Sequence, residues 1–298
     1  MYTISRSIAL ITALVFFQLL NGQNPLELQF ALVAKNLQGN LGVSALLIET
    51  GESVAFNGKD KFPMQSVYKI PIALIMLQEI EKNKFSLDDI IKIDKSEYIP
   101  LAGHSPIRDK FPNGVNLTIF EILQYNVTES DGTACDVLIR LLGGVHKVQQ
   151  RLRKNGIENI AIATTEMVQA ENDTIQYKNW STPDAMNKLL EGYHNGKYIS
   201  HSSKRLVDEL MSSSKKRYGR RIKGLLPKDT PVIHKTGTSS TYNGLTRATN
   251  DVGIITLPNG NHIAISVFIS NSYETQEKRE TAIAQVAKFA FEYWKDKP

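Results

Sequence analysis

Short apolar runs bounded by turn residues occupy both ends of the chain. Residues 26–37 have helical periodicity, and the two runs that follow flank Thr50-Gly51, a turn pair that predicts a hairpin. Near the other end, Asn259-Gly260 predicts a second hairpin, and residues 275–295 place apolar side chains at helical spacing. The predicted strands are residues 43–49, 53–56, 230–236, 252–257 and 263–269. The ends of the chain therefore predict an antiparallel sheet flanked by terminal helices.

The middle of the chain has a helical pattern. Residues 70–80 are apolar nearly all round, which predicts a helix buried on every side. Thr118 with Glu121 matches a capping box, and residues 133–142 predict a further helix that ends at Gly143-Gly144. We therefore predict an α+β fold of the α/β sandwich type, with the active site in the cleft between its two parts. The predicted limits are a signal peptide at 1–22, a discontinuous α/β domain at 23–60 and 215–298, and an all-α domain at 61–214.

The first 22 residues have the pattern of a secretory signal. Arg6 precedes an uncharged run over residues 8–20, which is shorter than the roughly 20 apolar residues that a membrane-spanning helix needs. An uncleaved membrane anchor is the alternative. The pattern favours export to the periplasm or the medium, with no membrane attachment after cleavage.

Composition and charge narrow the classes of function. The 298 residues are 42% hydrophobic and 22% charged, which excludes a disordered or collagen-like protein. The net charge of +5 includes a short basic cluster that we interpret as a solvated surface turn, with no nucleic acid as partner. Its members are Lys215, Lys216, Arg217, Arg220, Arg221 and Lys223. Cys135 is the single cysteine, so there is no intramolecular disulfide, and its apolar neighbours predict that it is buried.

Ser66-Val67-Tyr68-Lys69 is the most informative short segment. If the buried helix begins here, the three-residue spacing brings the serine hydroxyl and the lysine amine together on one face. A lysine can take the proton of a serine only if its own pKa is lowered. A surface lysine beside an N-cap serine is the alternative. The uncharged helix that follows argues against it, because that is a costly place for an unpartnered lysine.

Two further segments carry polar groups suited to a ligand site. Ser130-Asp131-Gly132 lies between two predicted helices, and by itself it is typical of a turn with an N-cap. The segment from His234 to Thr238 lies on a predicted strand, where Gly237 lets a ligand approach the backbone closely. A lysine such as Lys235 on an edge strand also serves simply to prevent aggregation.

In this order the three segments resemble the signature of the class A serine β-lactamases, which reads S-x-x-K, S-D-N and K-T-G. Lys69 and Ser130 lie 61 positions apart, and Asp131 and Lys235 lie 104 apart, spacings that look like those of that class. The resemblance covers essentially the whole chain after residue 22. It implies hydrolysis of the β-lactam amide of penicillins or cephalosporins through a serine acyl-enzyme, and thus antibiotic resistance.

The resemblance implies a catalytic role for each of four residues. Ser66 would attack the β-lactam carbonyl, and either Lys69 or Glu166 acting through water would take its proton. Ser130 would pass a proton to the departing lactam nitrogen. Glu166, on a loop between the second and third segments, would activate the water that hydrolyses the acyl-enzyme. Glu171 is the nearest competitor for that position.

The same resemblance implies a set of binding groups. Lys235 would hold the substrate carboxylate, and the backbone N–H groups of Ser66 and Thr238 would form the oxyanion hole. Arg221 is the candidate for a second contact to that carboxylate, with Arg220 and Arg247 as rivals. The predicted substrate-binding residues are Lys235, Thr236, Gly237, Thr238, Arg221 and Gly132.

Three positions depart from the family pattern. Gly132 replaces an asparagine that would bind the acylamino group of the drug. Asp136 stands where the better-known branch has asparagine, although the subgroup with cephalosporin preference also tolerates Asp there. Because Asp136 lies beside Glu166 in that family, we expect either a shared proton or a reshaped Glu166 loop. Ala170 lacks a polar side chain that often helps to hold the water.

Two other functions fit parts of the pattern. A D,D-peptidase or penicillin-binding protein would use the same nucleophile on cell-wall peptides, but Glu166 and the absence of an anchor argue against it. A non-catalytic binding relative would be expected to lose Ser66 or Lys69, and both are present. The six histidines, including His234 and His262, show no paired-ligand spacing, so the sequence predicts no metal and no cofactor. The expected state is a monomer that acts on a small-molecule β-lactam.

Overall fold

The computed structural model describes residues 24–213 and 220–297. The predicted signal peptide at 1–22 lies outside these residues, as do Lys215, Lys216 and Arg217 of the basic cluster. Within the part of the chain that the structure describes, none of the helices combines the length and apolar character needed to cross a membrane.

The largest sheet is antiparallel and combines strands from both ends of the chain. Its strands are β1 (Asn40–Leu47), β2 (Ser53–Phe56), β8 (Val232–Thr238), β9 (Thr241–Tyr242), β10 (Leu245–Thr256) and β11 (His262–Ser272). The order is β2-β1-β11-β10-β8, with β9 paired to β10. Both predicted hairpins are confirmed: β2 pairs with β1 through the Thr50-Gly51 turn, and β11 pairs with β10 through the Asn259-Gly260 turn.

The two terminal helices cover one face of this sheet. They are α1 (Pro25–Lys35) and α10 (Gln276–Trp294). Along β11, Ile263, Ile265 and Val267 pack with these helices, whereas Ala264 and Phe268 belong to a second apolar core. Because successive side chains of a strand point to opposite faces, a sheet buried on both faces gives a continuous apolar run. This explains why β11 shows no alternation in the sequence.

The second core is formed largely by helices between β2 and β8. They are α2 (Lys69–Glu81), α3 (Pro106–Lys110), α4 (Ile119–Val127), α5 (Gly132–Leu141), α6 (Val145–Lys154), α7 (Glu166–Glu171), α8 (Pro183–His194) and α9 (His201–Ser212). Helix α2 is buried from Lys69 through Leu77, as its uniform apolar sequence predicts. The Thr118 and Glu121 capping box is present at the start of α4. The mixed α+β fold is confirmed, with α2 at its centre.

Short elements connect these helices. The short strands are β3 (Phe62–Pro63), β4 (Ile90–Ile93), β5 (Val115–Thr118), β6 (Ile160–Ala161) and β7 (Trp180–Ser181). The 3-10 turns are residues Gln65–Tyr68, Lys95–Glu97, Ile175–Lys178 and Ile222–Leu225. Of these, the turn before α2 and the segment between β6 and β7 place residues of the site.

Two sequence-based expectations need correction. Strand β10 begins at Leu245, seven residues before the predicted start, because its polar first half is paired with β11 and buried. Arg221 is not on a solvated turn: only 1% of it is exposed, and its guanidinium pairs with Glu280. Cys135 is buried as predicted.

Candidate active site

Ser66 and Lys69 meet at the start of the central helix. Ser66 lies in the 3-10 turn Gln65–Tyr68, which runs directly into α2 at Lys69. The three-residue spacing brings Lys69 Nζ to 3.2 Å from Ser66 Oγ, where the amine donates to the hydroxyl. Ser66 is half-buried, whereas Lys69 is only 1% exposed. The serine is therefore accessible and the lysine behind it is shielded from solvent.

Lys69 Nζ also joins the other two parts of the site. It donates to the backbone carbonyl of Ser130 at 2.6 Å, and it lies 3.0 Å from Glu166 Oε1. Burial is the largest single influence and acts to lower the pKa of Lys69. The charge and hydrogen bond of Glu166, together with the influence of Cys135 and Asp131, outweigh burial, and the pKa is raised above its ordinary value. Lys69 is therefore an ammonium ion in this arrangement, in contrast to the lowered pKa that a lysine base requires.

Ser130 occupies a strained loop between α4 and α5. Its φ is 59°, in the left-handed region that side chains other than glycine seldom adopt. The neighbouring Asp131 explains how the loop is held: its buried carboxylate accepts from the backbone N–H groups of Ile107 at 2.6 Å and Ala134 at 2.8 Å. Asp131 is thus the N-cap of α5 and not a catalytic group. Strained residues with such support cluster at functional sites.

Lys235 approaches Ser130 from the edge strand β8. Its Nζ donates to Ser130 Oγ at 2.9 Å and to the carbonyl of Thr236 at 3.2 Å. Burial, with repulsion from Lys69 as the next cause, lowers the pKa of Lys235 to about 7. Lys69 and Lys235 both contact Ser130, but the pKa of Lys69 is raised and that of Lys235 is lowered.

Gly237 allows β8 to lie close to the serine segment. A Cβ atom there would lie 2.4 Å from the carbonyl oxygen of Met64, two residues before Ser66. Thr236 is buried, whereas Thr238 is exposed and lines the cleft. A side chain at 237 would push the strand away, and Lys235 would move with it.

The sequence predicts that Glu166 lies on a loop, but it is the first residue of helix α7. Thr165 caps the helix by accepting from Val168 N, and the carboxylate of Asp136 accepts from Glu166 N at 2.7 Å and Met167 N at 2.8 Å. A cap of this kind satisfies the free N–H groups of the first turn, which is why a helix forms here. Glu171, the competitor, is exposed at the far end of α7.

Asp136 is therefore a backbone anchor for the Glu166 segment. Burial raises the pKa of its carboxyl to about 7; its bond to Met167 N opposes this rise, and the charge of Glu166 adds to it. The sequence predicts either a shared proton or a reshaped Glu166 segment, and the choice between them stays a prediction. The adjacent Asn179 holds the base of the same segment, since its side chain bonds Ala163 N and both backbone groups of Thr164.

Gly132 and Ala170, which both depart from the family pattern, have different surroundings. A Cβ at Gly132 would lie 2.4 Å from Ile99 Cδ1 and 3.3 Å from Glu166 Cβ, so Ile99 occupies the space that an asparagine needs. Gly132 contributes backbone only, donating its N–H to the carbonyl of His104 at 2.9 Å. Ala170 lines the cleft next to Glu166.

The three candidate arginines are placed differently. Arg221 is buried and donates to Thr238 Oγ1 at 2.7 Å and to the carbonyl of Asn250 at 2.8 Å. It therefore holds the end of β8, and direct contact with a substrate carboxylate stays a prediction. Arg247 is paired with Asp173, and Arg220 is exposed.

These groups surround one cleft of about 320 Å³. Ser66, Lys69, Ser130, Glu166 and Thr238 line it. The sequence reasoning missed several lining residues, among them Gly103, His104, Gln169, Asp173, Gln176 and Tyr242. No sequence signal identified them, because they reach the cleft only through the packing of segments distant in the chain.

Comparisons with known proteins agree on one family. A family model described as the β-lactamase enzyme family matches residues 25–294. β-Lactamase VEB-1 of Pseudomonas aeruginosa is 43% identical over 274 residues, which are 91% of this chain and 90% of that protein. The crystal structure of the TLA-1 extended-spectrum β-lactamase has a TM-score of 0.88 at 40% identity, and the match covers 91% of this chain and 98% of that one. A class A β-lactamase structure from Bacteroides cellulosilyticus has a TM-score of 0.84 at 30% identity, and the match covers 91% and 97% of the two chains.

Proposed function

This chain belongs to the class A serine β-lactamases, and we propose that it opens the β-lactam ring with Ser66 as nucleophile. Enzymes of this family hydrolyse the β-lactam amide, and this chain thereby confers resistance to these antibiotics. One observation carries the assignment of residues: the Lys69 ammonium contacts Ser66 Oγ, the Ser130 carbonyl and Glu166 Oε1 together. In this arrangement the ammonium can stabilise negative charge on the serine oxygen while the nearby carboxylate serves as the base.

In acylation, Ser66 Oγ forms a bond to the lactam carbonyl carbon while its proton leaves. The raised pKa of Lys69 makes it a poor acceptor, which favours Glu166, acting through a bridging water, as the base. Lys69 then stabilises the developing negative charge on the serine oxygen at 3.2 Å. The backbone N–H groups of Ser66 and Thr238 donate hydrogen bonds that stabilise the negative charge developing on the carbonyl oxygen.

Cleavage of the carbon–nitrogen bond needs a proton at the lactam nitrogen. Ser130 supplies it, and the contact from Lys235 Nζ to Ser130 Oγ makes that hydroxyl a better donor. Lys235 also binds the substrate carboxylate, with Arg221 supporting the end of β8 through Thr238. Thr236 and Gly237 give that strand its position against the nucleophile.

Hydrolysis of the acyl-enzyme distinguishes this function from that of a D,D-peptidase or penicillin-binding protein. Glu166 removes a proton from a water, which attacks the ester carbonyl and releases Ser66. Asp136 and Thr165 anchor the helix that begins at Glu166, and the Glu166 carboxylate thereby stays in an ion pair with Lys69. A chain that only formed the acyl-enzyme would not need this carboxylate beside its nucleophile.

The relatives also indicate a substrate class for this chain. The TLA-1 relative is an extended-spectrum enzyme, and we extend that spectrum, with a preference for cephalosporins, to this chain. Asp136 supports it, because the subgroup of the family with cephalosporin preference also tolerates an aspartate at this position. Ratios of kcat/KM for cephalosporins over penicillins below one would contradict the preference.

We further propose the state in which the enzyme acts. We propose a monomer with an α/β domain at 23–60 and 215–298 and an all-α domain at 61–214, a division that the order of strands and helices along the chain supports. The apolar run after Arg6 supports export with cleavage near residue 22. Size-exclusion chromatography and N-terminal sequencing of protein from the periplasmic fraction test both points.

The decisive experiment uses nitrocefin turnover by the purified mature protein. Ser66→Ala should lower kcat by roughly a thousandfold or more, because the acyl-enzyme cannot form. Unchanged turnover in Ser66→Ala would exclude this serine as the nucleophile.

Glu166→Ala tests the assignment of the hydrolytic base. It should leave acylation partly intact and trap the ester, so mass spectrometry should find Ser66 heavier by the mass of one drug molecule. Glu171→Ala, which removes the exposed acid at the end of the same helix, is the matched control and should turn over normally. Absence of any adduct in Glu166→Ala, or an adduct in Glu171→Ala instead, would overturn the assignment.

A further inference from the structure

Two histidines and a glutamate converge at one end of the sheet, among residues that the β-lactamase reaction does not use. Glu49 follows β1, His262 is the first residue of β11, and His194 is the last residue of α8. Their ligand atoms all lie within 4.8 Å of one another, and the two imidazole centroids are 4.3 Å apart. Within residues 24–213 and 220–297, no other group of three such side chains comes together in this way.

The backbone holds Glu49 and His262 in register. Ile48 N donates to the carbonyl of His262 at 2.9 Å, and His262 N donates to Glu49 Oε2 at 2.8 Å. The imidazole Nδ1 of His262 is 2.8 Å from Glu49 Oε1. The carboxylate is therefore oriented by its two hydrogen bonds to His262, which reduces the side-chain freedom lost on binding a ligand.

Helix α8 brings His194 to the same point. Asn187, two turns earlier, donates to the carbonyl of Ala264 at 3.0 Å and accepts from Ser266 Oγ at 2.6 Å, which fixes the helix against β11. The carbonyl groups at the end of a helix attract a cation. The nearby Lys204 is already paired with Asp208 at 2.8 Å, which reduces its repulsion of a cation.

We propose that Glu49, His194 and His262 form a Zn²⁺ site that joins the end of α8 to the sheet. Two imidazoles and a carboxylate are ligands that Zn²⁺ accepts, with a fourth, open position left for water. Ligand atoms around tetrahedral zinc are about 3.3 Å apart. On binding, Zn²⁺ would replace the hydrogen bond between His262 Nδ1 and Glu49 Oε1, now 2.8 Å apart, and small side-chain rotations would bring the three ligands together. The two partly exposed imidazoles and the exposed carboxylate leave the metal an entry path from solvent.

The site is separate from the catalytic cleft. Across the sheet, Lys235 of β8 pairs with Val252 of β10, which pairs with Ser266 of β11. His262 lies four residues along β11 from Ser266. Four strand residues correspond to roughly 13 Å, and none of the three ligands lines the cleft. Zinc here is expected to stabilise the fold without taking part in hydrolysis.

Zinc titration of the EDTA-treated mature protein tests the site. Calorimetry should show one Zn²⁺ bound per chain, and at a hundredfold excess over Kd the Tm should rise by roughly 5 °C. Co²⁺ should give the visible absorption bands of a tetrahedral site. Nitrocefin turnover should change by less than about twofold when Zn²⁺ is added. Because the two measurements are independent, failure of the zinc site can be distinguished from failure of the assigned reaction.

Single substitutions identify the ligands. His194→Gln and His262→Gln should each abolish the Zn²⁺-dependent rise in Tm while leaving the metal-free Tm nearly unchanged, because both side chains are partly exposed. His201→Gln, an exposed histidine at the start of α9, is the matched control and should keep the full effect. No Zn²⁺-dependent rise in the wild type, or an equal rise in all three variants, would overturn the proposal.

Discussion

The two lysines of the cleft show how strongly one residue type depends on its neighbours. Lys69 has the Glu166 carboxylate within 3.0 Å and a raised pKa, whereas Lys235 contacts a hydroxyl and a carbonyl and has a pKa of about 7. Both are buried, so burial alone does not separate them. The position of the carboxylate therefore assigns the permanent charge to Lys69 and the titrating charge to Lys235.

The binding of a substrate carboxylate should depend on pH through Lys235. Because its pKa is lowered to about 7, the ammonium is present below that pH and is lost as the pH rises through it. KM for a β-lactam should therefore rise as the pH increases above about 7, and kcat should fall as well, because Ser130 loses the ammonium that assists its proton transfer. Steady-state kinetics across this range measure the effect.

Lys235→Arg is the matched variant, since a guanidinium keeps its charge throughout this range. Its KM should be higher than that of the wild type at low pH, because the fork fits the lysine position poorly, but it should vary little with pH. A wild-type KM that is as flat as that of the variant would show that Lys235 does not titrate.

The effect of the glycine at position 132 depends on Ile99, a residue distant in the chain. The sequence shows only that the expected asparagine is missing. In the structure, Ile99 fills the space beside Gly132 and is itself 1% exposed, so the replacement is a matter of packing as well as of recognition. A change at either position alone leaves a clash or a cavity.

At the scale of elements, helix α7 is the part most dependent on a single side chain. It has six residues, none of them buried, so it gains little from packing. Short helices are marginal without tertiary support. The two hydrogen bonds that its first turn donates to the Asp136 carboxylate therefore set where Glu166 lies.

Asp136→Asn should displace this helix. An asparagine offers one acceptor oxygen, so its NH₂ group would face a backbone N–H, donor against donor. An unmade buried hydrogen bond costs about 1–3 kcal/mol, and we expect kcat to fall by roughly 10- to 100-fold as deacylation slows. Stopped-flow detection of accumulating acyl-enzyme measures this. Asp109→Asn, at an acid that caps no part of α7, should behave as the wild type, and rapid deacylation in Asp136→Asn would contradict the anchoring role.

At the scale of the whole molecule, the site exists because the sheet and the helical part are joined beside Ser66. Asn250 of β10 is fully buried and donates to the carbonyls of Pro63 and Met64 at 2.8 and 3.0 Å. Gly237 of β8 packs against the same Met64 carbonyl. The distance between the nucleophile and Lys235 thus depends on contacts between segments nearly 190 residues apart in the chain.

Asn250→Leu should weaken both stability and activity. The leucine has a similar volume but cannot donate, so the carbonyls of Pro63 and Met64 each lose a hydrogen bond, although Met64 keeps the one from Val67 N. We expect a cost of about 1–3 kcal/mol. Urea unfolding should show the loss, and nitrocefin turnover under native conditions should fall as well. Asn113→Leu, at an exposed position, is the control and should change neither. Loss of stability with full activity in Asn250→Leu would show that this contact does not position the nucleophile.

Local sequence determined the elements and the family. The capping box at Thr118, the turn at Asn259-Gly260 and the buried helix α2 depend on residues close together in the chain, and each is confirmed. Each of the three motifs is also short, and the family that their order indicates is confirmed. Such signals follow from backbone geometry and side-chain spacing, which act over a few residues.

The tertiary structure decided the properties that depend on distant neighbours. The burial of Arg221, the helix that begins at Glu166 and the opposite pKa shifts of two lysines each require a partner from another segment. The same holds for the meeting of Glu49, His194 and His262, which no spacing in the sequence predicts. Desolvation and Coulomb interactions depend on distance in space, and only the folded chain sets that distance.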